Sequence, residues 1–523
     1  MGTSHPSASP SCGGHFDFLI VGAGISGIGA AYHLHQRFPG SRFAVLDAMD
    51  GFGGTWWTHR YPGARSDSDL YTYGYGFKPW RGRSIATADE IRAYLGEVID
   101  ENGLAPRIRY RHKVMTADWS SQEQRWTLEV ARTDSGETLT FTTRFLWMCS
   151  GYYDHGQGHT PQWPGLADFE GRVVHPQHWP QDLDCAGQRV VVIGSGATAA
   201  TLIPALAGSA AHVTMLQRSP TYVVTVPGRD PFVTKARQYL PEPAVYALTR
   251  WKNVALSAGI YQFAQRRPEK MKAFIRKMQV RQLPAGFDVD THFKPRYNPW
   301  DQRLCAVPDG DLFKSIRSGK VSVVTDTIET FTEKGVRLHS GQELEADIIV
   351  TATGFTLQMM GGATLVVDGK EVRLSEKMTY KGMMLSDVPN SAFTIGYTNS
   401  SWTLKADLVA EYVCRMLNFM DEKGYDVAVA RNTDPSVKQS PLLDFGAGYV
   451  QRSLEELPTQ GSKWPWKLGM SYPVDVVTLR HGSVDDGVMQ FSRAPKAATR
   501  SAAQPQGRAA QPAAPAPLRT QGR

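Results

Sequence analysis

The chain has 523 residues, enough for two or three domains with packed cores. Its formal net charge is +7, but Arg493–Arg523 holds six Arg/Lys and no acid, which leaves only +1 on the other 492 residues. A near-neutral body gives no support to nucleic-acid binding, and five scattered cysteines without a CxxC pair argue against a disulfide framework, a zinc site or a dithiol redox centre. That cysteine usage fits a reducing, cytoplasmic setting. The opening MGTSHPSASPSCGG lacks the positive and apolar regions of a signal peptide, and no apolar run approaches the ~18–20 residues of a membrane span.

Residues 1–14 are rich in Ser, Pro and Gly and are expected to be disordered. FDFLIVGAGISGIGAAYHL (16–34) then reads as a buried strand, a Gly-rich turn and a helix start. In such a turn Gly22 permits the sharp bend, Gly24 lets a pyrophosphate approach the backbone, and Gly27 lets helix and strand pack closely. The helix start supplies free N–H groups and a positive partial charge, while Asp47, closing strand RFAVLD, is placed to accept from a ribose. A plain tight turn between strand and helix remains the alternative. Next, Gly53-Gly54-Thr55-Trp56 offers backbone and an aromatic ring suited to a flavin, and Pro62-Gly63 presents Arg65, Ser66 and Asp67 in succession. Asp67 and Asp69 could equally cap the following helix.

FLWMCSGYY (145–153) reads as the exit strand of this first unit. FEGRVVHPQHWP (169–180) has no helical or strand period and is read as a linker, with Gly171 permitting a bend, Phe169 and Trp179 anchoring its ends and Pro180 stiffening the exit. His175 is read as positioning the domains rather than as a base. RVVVIGSGATAATLIPAL (189–206) echoes the first unit, with Gly194, Ser195, Gly196, Ala197, Thr198 and Ala199 forming its turn. Where an NAD-binding unit carries an acid, this one carries Gln217, Arg218 and Ser219. A cation and a hydroxyl suit a 2′-phosphate, hence NADPH; an ordinary exposed arginine is the alternative.

From Arg250 to Arg281 there are nine Lys/Arg against one Glu, within a helical insertion over about 230–294. A solvated face, a peripheral membrane contact or a funnel for an anionic cofactor would all look like this. ADIIVTATGF (346–355) reads as the strand by which the chain returns to the first unit. The expected class is α/β, with two Rossmann-like dinucleotide-binding domains and a helical insertion. The FAD domain is expected at 15–160 and 335–492, the NADPH domain at 161–334, and a disordered basic Ala/Pro-rich tail at 493–523.

FEGRVVHPQHWP fits F-x-G-x-x-x-H-x-x-x-W-P, and residues 54–67 fit G-x-W-x-x-x-x-Y-P-G-x-x-x-D. With two Gly-rich turns, these motifs resemble the flavin-dependent Baeyer–Villiger monooxygenases over about residues 16–492. The resemblance implies that Gly22, Gly24, Ser26, Gly27, Asp47, Gly54, Thr55, Trp56, Asp67 and Val114 contact FAD. It implies that Arg65, Ser66, Gly194 to Ala199, Arg218 and Ser219 contact NADPH, and that Arg303, paired with Asp67, is the active-site cation. The implied reaction takes NADPH, O2 and a ketone to an ester or lactone through a C4a-peroxyflavin, with sulfides or thioamides as second substrates. A heteroatom monooxygenase without ketone activity remains the alternative. No metal is implied, and the oligomeric state is open.

Overall fold

The computed structural model describes residues 11–302, 304–442, 452 and 456–493. The first strand, β1 (Ser11–Val21), begins inside the stretch expected to be a disordered tail. It lies parallel to β2 (Phe43–Leu46), which continues to β3 (Ile108–Arg109). Its helix α1 (Ile25–Arg37) buries Ile25, Ile28, Ala31 and Leu34. All four residues of β2 are buried, as expected for a parallel strand covered on both faces. On its other side β1 pairs in parallel with β6 (Thr138–Met148). Antiparallel β5 (Arg125–Arg132) and β4 (His112–Ser120) extend the sheet beyond it, with buried and exposed residues largely alternating. Strands Thr364–Val367 and Ser391–Phe393 join this sheet from far along the chain, so the first domain is built from two separate segments.

The second sheet is wholly parallel. It contains β7 (Arg172–Val174), β8 (Arg189–Ile193), β9 (His212–Gln217), β10 (Val321–Thr325) and β11 (Ile348–Thr351), in the order β10-β9-β8-β11-β7. Helix α2 (Ala197–Leu206) follows β8, repeating the strand–turn–helix unit of β1 and α1. Two expectations are corrected here. Residues 172–174, read as linker, are the edge strand of this sheet, and Ile348–Thr351, read as the return to the first domain, lies between β8 and β7. The return therefore falls after Thr351 and not at 335. The reason is physical: a buried four-residue strand is compatible with either sheet, and only long-range pairing decides.

The insertion between the second sheet's segments is helical, dominated by α3 (Glu242–Arg266) and α4 (Pro268–Gln282). Helix α3 is fastened to the first domain. Its buried Arg250 donates to the carbonyls of Tyr71 (3.1 Å), Thr72 (3.2 Å) and Gly74 (2.7 Å), and Asn253 donates to Asp69 (2.9 Å). Helix α4 is fastened to the second domain, where Gln279 donates to the Val223 carbonyl (3.0 Å) and Gln282 accepts from Thr225 (2.7 Å). Later, α5 (Trp402–Lys423) packs across α1. Among the described residues no helix is long and apolar enough to cross a membrane.

Candidate functional site

A single cavity of about 1980 Å³ runs from the first Gly-rich turn to the second. At the first end, Gly22 sits at φ +107°, where an added Cβ would stand 2.6 Å from the Cys149 carbonyl oxygen. Gly27 is closer still: its Cβ would stand 1.7 Å from the Gly22 carbonyl oxygen, so only glycine lets α1 meet the turn. Gly27 does not line the cavity; Gly22, Gly24 and Ser26 do. The Ser26 hydroxyl is taken by the Trp402 indole N–H of α5 (2.7 Å). Asp47 is buried at the end of β2, where its carboxylate accepts from Ala23 N–H (2.5 Å) and Met49 N–H (2.8 Å). Burial pushes this carboxyl up and the two backbone donors oppose the shift. Spare lone pairs on both oxygens can still accept hydroxyl protons.

Gly54, Thr55, Trp56, Asp67 and the β4 residue Val114 line the same cavity. Trp56 is held edge-on to Tyr73 and donates to its hydroxyl (2.9 Å). The Pro62-Gly63 turn docks on the second domain: Gly63 has φ +78°, and a Cβ there would lie 2.5 Å from the Thr201 carbonyl of α2. That turn brings Arg65, Ser66 and Asp67 to the seam between the domains. Ser66 is buried, and its hydroxyl is engaged with Ser68 (3.0 Å). Arg65 pairs through Nη1 with Asp311 (2.6 Å), a partner unforeseen from sequence. Its Nε and Nη2 are buried and find no hydrogen-bond partner among the described residues. Arg303, the expected partner of Asp67, lies outside the described residues.

At the second end the cavity is lined by Gly194, Ser195, Gly196, Ala197, Thr198, Arg218 and Ser219, whereas Ala199 is buried in α2. Ser195 fixes the turn to the loop after β9, donating to the Ser219 carbonyl (3.1 Å) and meeting Thr221 Oγ1 (2.8 Å). Arg218 is exposed at the cavity edge, and Arg452, also lining the cavity, stands near enough that the two positive charges repel. Two arginines lining one cavity supply charge-assisted donors that could hold an anion such as a phosphate. Gln217 turns away, donating to the His292 carbonyl (2.7 Å).

The 169–180 stretch lies behind the cavity and does not line it. Phe169 is buried against Phe331, with ring centroids 6.5 Å apart. Gly171 sits where the chain bends, without left-handed backbone. It is a packing residue, since a Cβ there would fall 2.4 Å from the Phe169 ring and 2.5 Å from the Asp347 carbonyl. His175 caps a short turn, accepting from Gln177 N–H at Nδ1 (3.2 Å), so its Nε2–H faces the Gly354 carbonyl (3.3 Å). Burial lowers its pKa, which favours this neutral form. Trp179 is half-buried against the second domain's core, and Pro180 is half-buried beside it.

The family described as flavin-binding monooxygenase-like matches residues 84–417, and an NAD(P)-binding Rossmann-like domain matches residues 20–93. The chain is 52% identical over 483 residues to the FAD-containing monooxygenase EthA of Mycobacterium tuberculosis, covering 92% of this chain and 98% of that protein. This chain belongs to the flavin-binding monooxygenase family. Its fold resembles a steroid monooxygenase solved in oxidised form with NADP (TM-score 0.70, 23% identity, 92% of this chain and 100% of that one). It also resembles the closed form of cyclohexanone monooxygenase (TM-score 0.67, 23% identity, 81% and 87%).

Several residues that line the cavity went unrecognised in the sequence. His59 lines the cavity, stacks on Phe355 (5.1 Å, 17°), and is pulled down to about 3 by burial, helped by nearby His155 and His175. Tyr397 also lines the cavity, and its hydroxyl donates to Asp475 (2.6 Å), which is paired with buried Lys405 (2.8 Å). No motif signals these residues, because each acquires its surroundings from distant segments.

Proposed function

We propose that this flavin monooxygenase uses FAD and NADPH to insert one oxygen of O2 beside the carbonyl of a ketone, giving an ester or lactone, and that it also oxygenates the soft sulfur of sulfides or thioamides. The observation that carries the reading is the continuous cavity joining both Gly-rich turns, with Arg65 nitrogens between them that find no partner among the described residues. FAD, once reduced by NADPH, supplies the activated oxygen. The chain's own groups do the rest. The backbone N–H groups at the start of α1, with Gly24 facing Gly54, leave room for a pyrophosphate, and Asp47 receives the ribose hydroxyls. Thr55, Trp56 and the Val114 backbone border the flavin.

On the other side, Gly194 to Thr198 hold the second pyrophosphate, while Arg218, Ser219 and Arg452 take the 2′-phosphate. Arg65, whose buried Nε and Nη2 find no partner among the described residues, would donate to the nicotinamide half. Arg303 would favour negative charge on the attacking oxygen and on the carbonyl oxygen, and Asp67, its expected partner, would orient it. Replacing Arg218 with alanine should raise the NADPH KM about 10–100-fold, the scale of lost charge-assisted hydrogen bonds, and leave the NADH KM unchanged. Equal loss with both cofactors would remove the phosphate role.

The test of the reaction itself is a ketone panel, including 2-octanone and phenylacetone, with NADPH and 18O2, products weighed by mass spectrometry. One labelled oxygen in an ester is expected, and Arg303→Ala should lower its rate about 10²–10³-fold. Labelled sulfoxide from sulfides with no ester from any ketone would restrict the enzyme to heteroatoms.

A further inference from the structure

The helical insertion carries a surface that neither domain needs. On α3, Leu256, Ile260 and Phe263 recur at i, i+4 and i+7 on one face and are 57%, 38% and 45% exposed. On α4, Lys270, Phe274, Lys277 and Arg281 recur at i, i+4, i+7 and i+11, all exposed, with Phe274 at 64%. Part of the positive charge is spent locally: Lys252 pairs with Asp230, Lys272 with Glu269 and Arg276 with Asp290. Arg266, Arg267, Lys270, Lys277 and Arg281 form no ion pair among the described residues. Large apolar side chains beside uncompensated cations are the pattern of a helix face lying in a lipid interface.

We propose that this face docks on an anionic lipid bilayer and sets the cavity mouth against it. Charge decides between occupants. A second copy meeting this face symmetrically would oppose cation to cation. The chain's own 494–523 segment holds five Lys/Arg and no acid, so it would be repelled as well. An anionic headgroup layer satisfies the cations, and its acyl boundary receives Leu256, Phe263 and Phe274. The position relative to the site gives the docking a purpose. Ile260 and Phe274 are exposed yet also line the cavity, so they stand at its rim, with Met271, Ile275 and Met278 continuing inward. A substrate dissolved in the bilayer then enters along apolar side chains without crossing water. This purpose rests on the cavity being the oxygenation site; the docking itself does not.

The experiment is flotation of the FAD-loaded full chain with phosphatidylcholine vesicles, with and without phosphatidylglycerol, in the absence of NADPH and substrate. Binding is expected only to the anionic vesicles and should weaken as salt rises. Lys270→Glu/Lys277→Glu/Arg281→Glu should lower the partition coefficient about a hundredfold at unchanged flavin content. Leu256→Ser/Phe263→Ser should lower it with charge unchanged. Changing Lys496, Arg500, Arg508, Arg519 and Arg523 to Gln should leave flotation intact. The proposal is overturned by equal flotation with neutral vesicles, by none with anionic ones, by undiminished binding of the triple variant, or by loss of binding in the tail variant. Because no turnover is measured, any of these results leaves the proposed oxygenation standing.

Discussion

The Gly27→Ala protein is expected to purify without flavin and to be less stable by on the order of 3 kcal/mol or more. The new Cβ would sit 1.7 Å from the Gly22 carbonyl oxygen and 3.4 Å from Cys149 Cβ. The obstruction is backbone, so no rotamer change relieves it. Gly22 cannot retreat, since its own Cα lies under the Cys149 carbonyl at a φ of +107° that other residues rarely adopt. Either α1 moves off β1, exposing Ile25 and Ile28, or the turn opens and its N–H groups no longer converge on an anion. Flavin absorbance per chain and the midpoint of thermal unfolding read the two effects together. Gly196→Ala is the control: nothing lies within 4 Å of its Cβ, so that variant should keep flavin and the wild-type midpoint. A Gly27→Ala protein with full flavin and an unchanged midpoint would refute the close-packing role.

Asp475→Ala is expected to cost about 3–5 kcal/mol, because it leaves Lys405 buried without a counter-charge. Lys405 is 3% exposed and Asp475 1%, with 2.8 Å between Nζ and Oδ2. Burial already pulls the Lys405 pKa down, and the carboxylate is what opposes that pull. The same carboxylate oxygen accepts from Tyr397, so the variant also frees a side chain that lines the cavity. Replacing both charges at once, as Lys405→Met/Asp475→Ala, should recover most of the loss, since the single variant's penalty is an isolated charge and not a lost attraction. Urea unfolding of the two single variants and the double gives the coupling. A double variant as unstable as the sum of the singles would show that the ion pair is not what holds this region.

The parts of the site that could be read from sequence are those whose chemistry is local. A Gly-rich turn between strand and helix needs its glycines at fixed offsets, and Asp47 must close the next strand, so both were visible within about 30 residues. The second turn and Arg218 were visible for the same reason. What stayed hidden depends on pairing across the chain. Arg65 meets Asp311 across 246 positions, and Trp402 reaches Ser26 across 376. Ile348–Thr351 reads as a return strand because its four buried residues suit any covered parallel position; its neighbours β7 and β8 determine which sheet receives it. Gly171 reads as a bend from sequence, but its close approach to the Asp347 carbonyl depends on a strand far along the chain. Arg452 lies in no motif, and His59 falls at an unspecified position of the 54–67 motif.

The insertion belongs to both halves of the molecule. Arg250 and Asn253 bolt α3 to the first domain, whereas Gln279 and Gln282 bolt α4 to the second, and the two helices meet at Arg267. A rotation of one domain against the other would therefore load this insertion, where Ala264 of α3 also packs with Tyr222 and with Met271 of α4. Ile260 is on one helix and Phe274 on the other, so a change in the angle between the helices would change the width of the entrance. Opening for substrate and realignment of the two dinucleotide-sized turns would then be one mechanical coordinate.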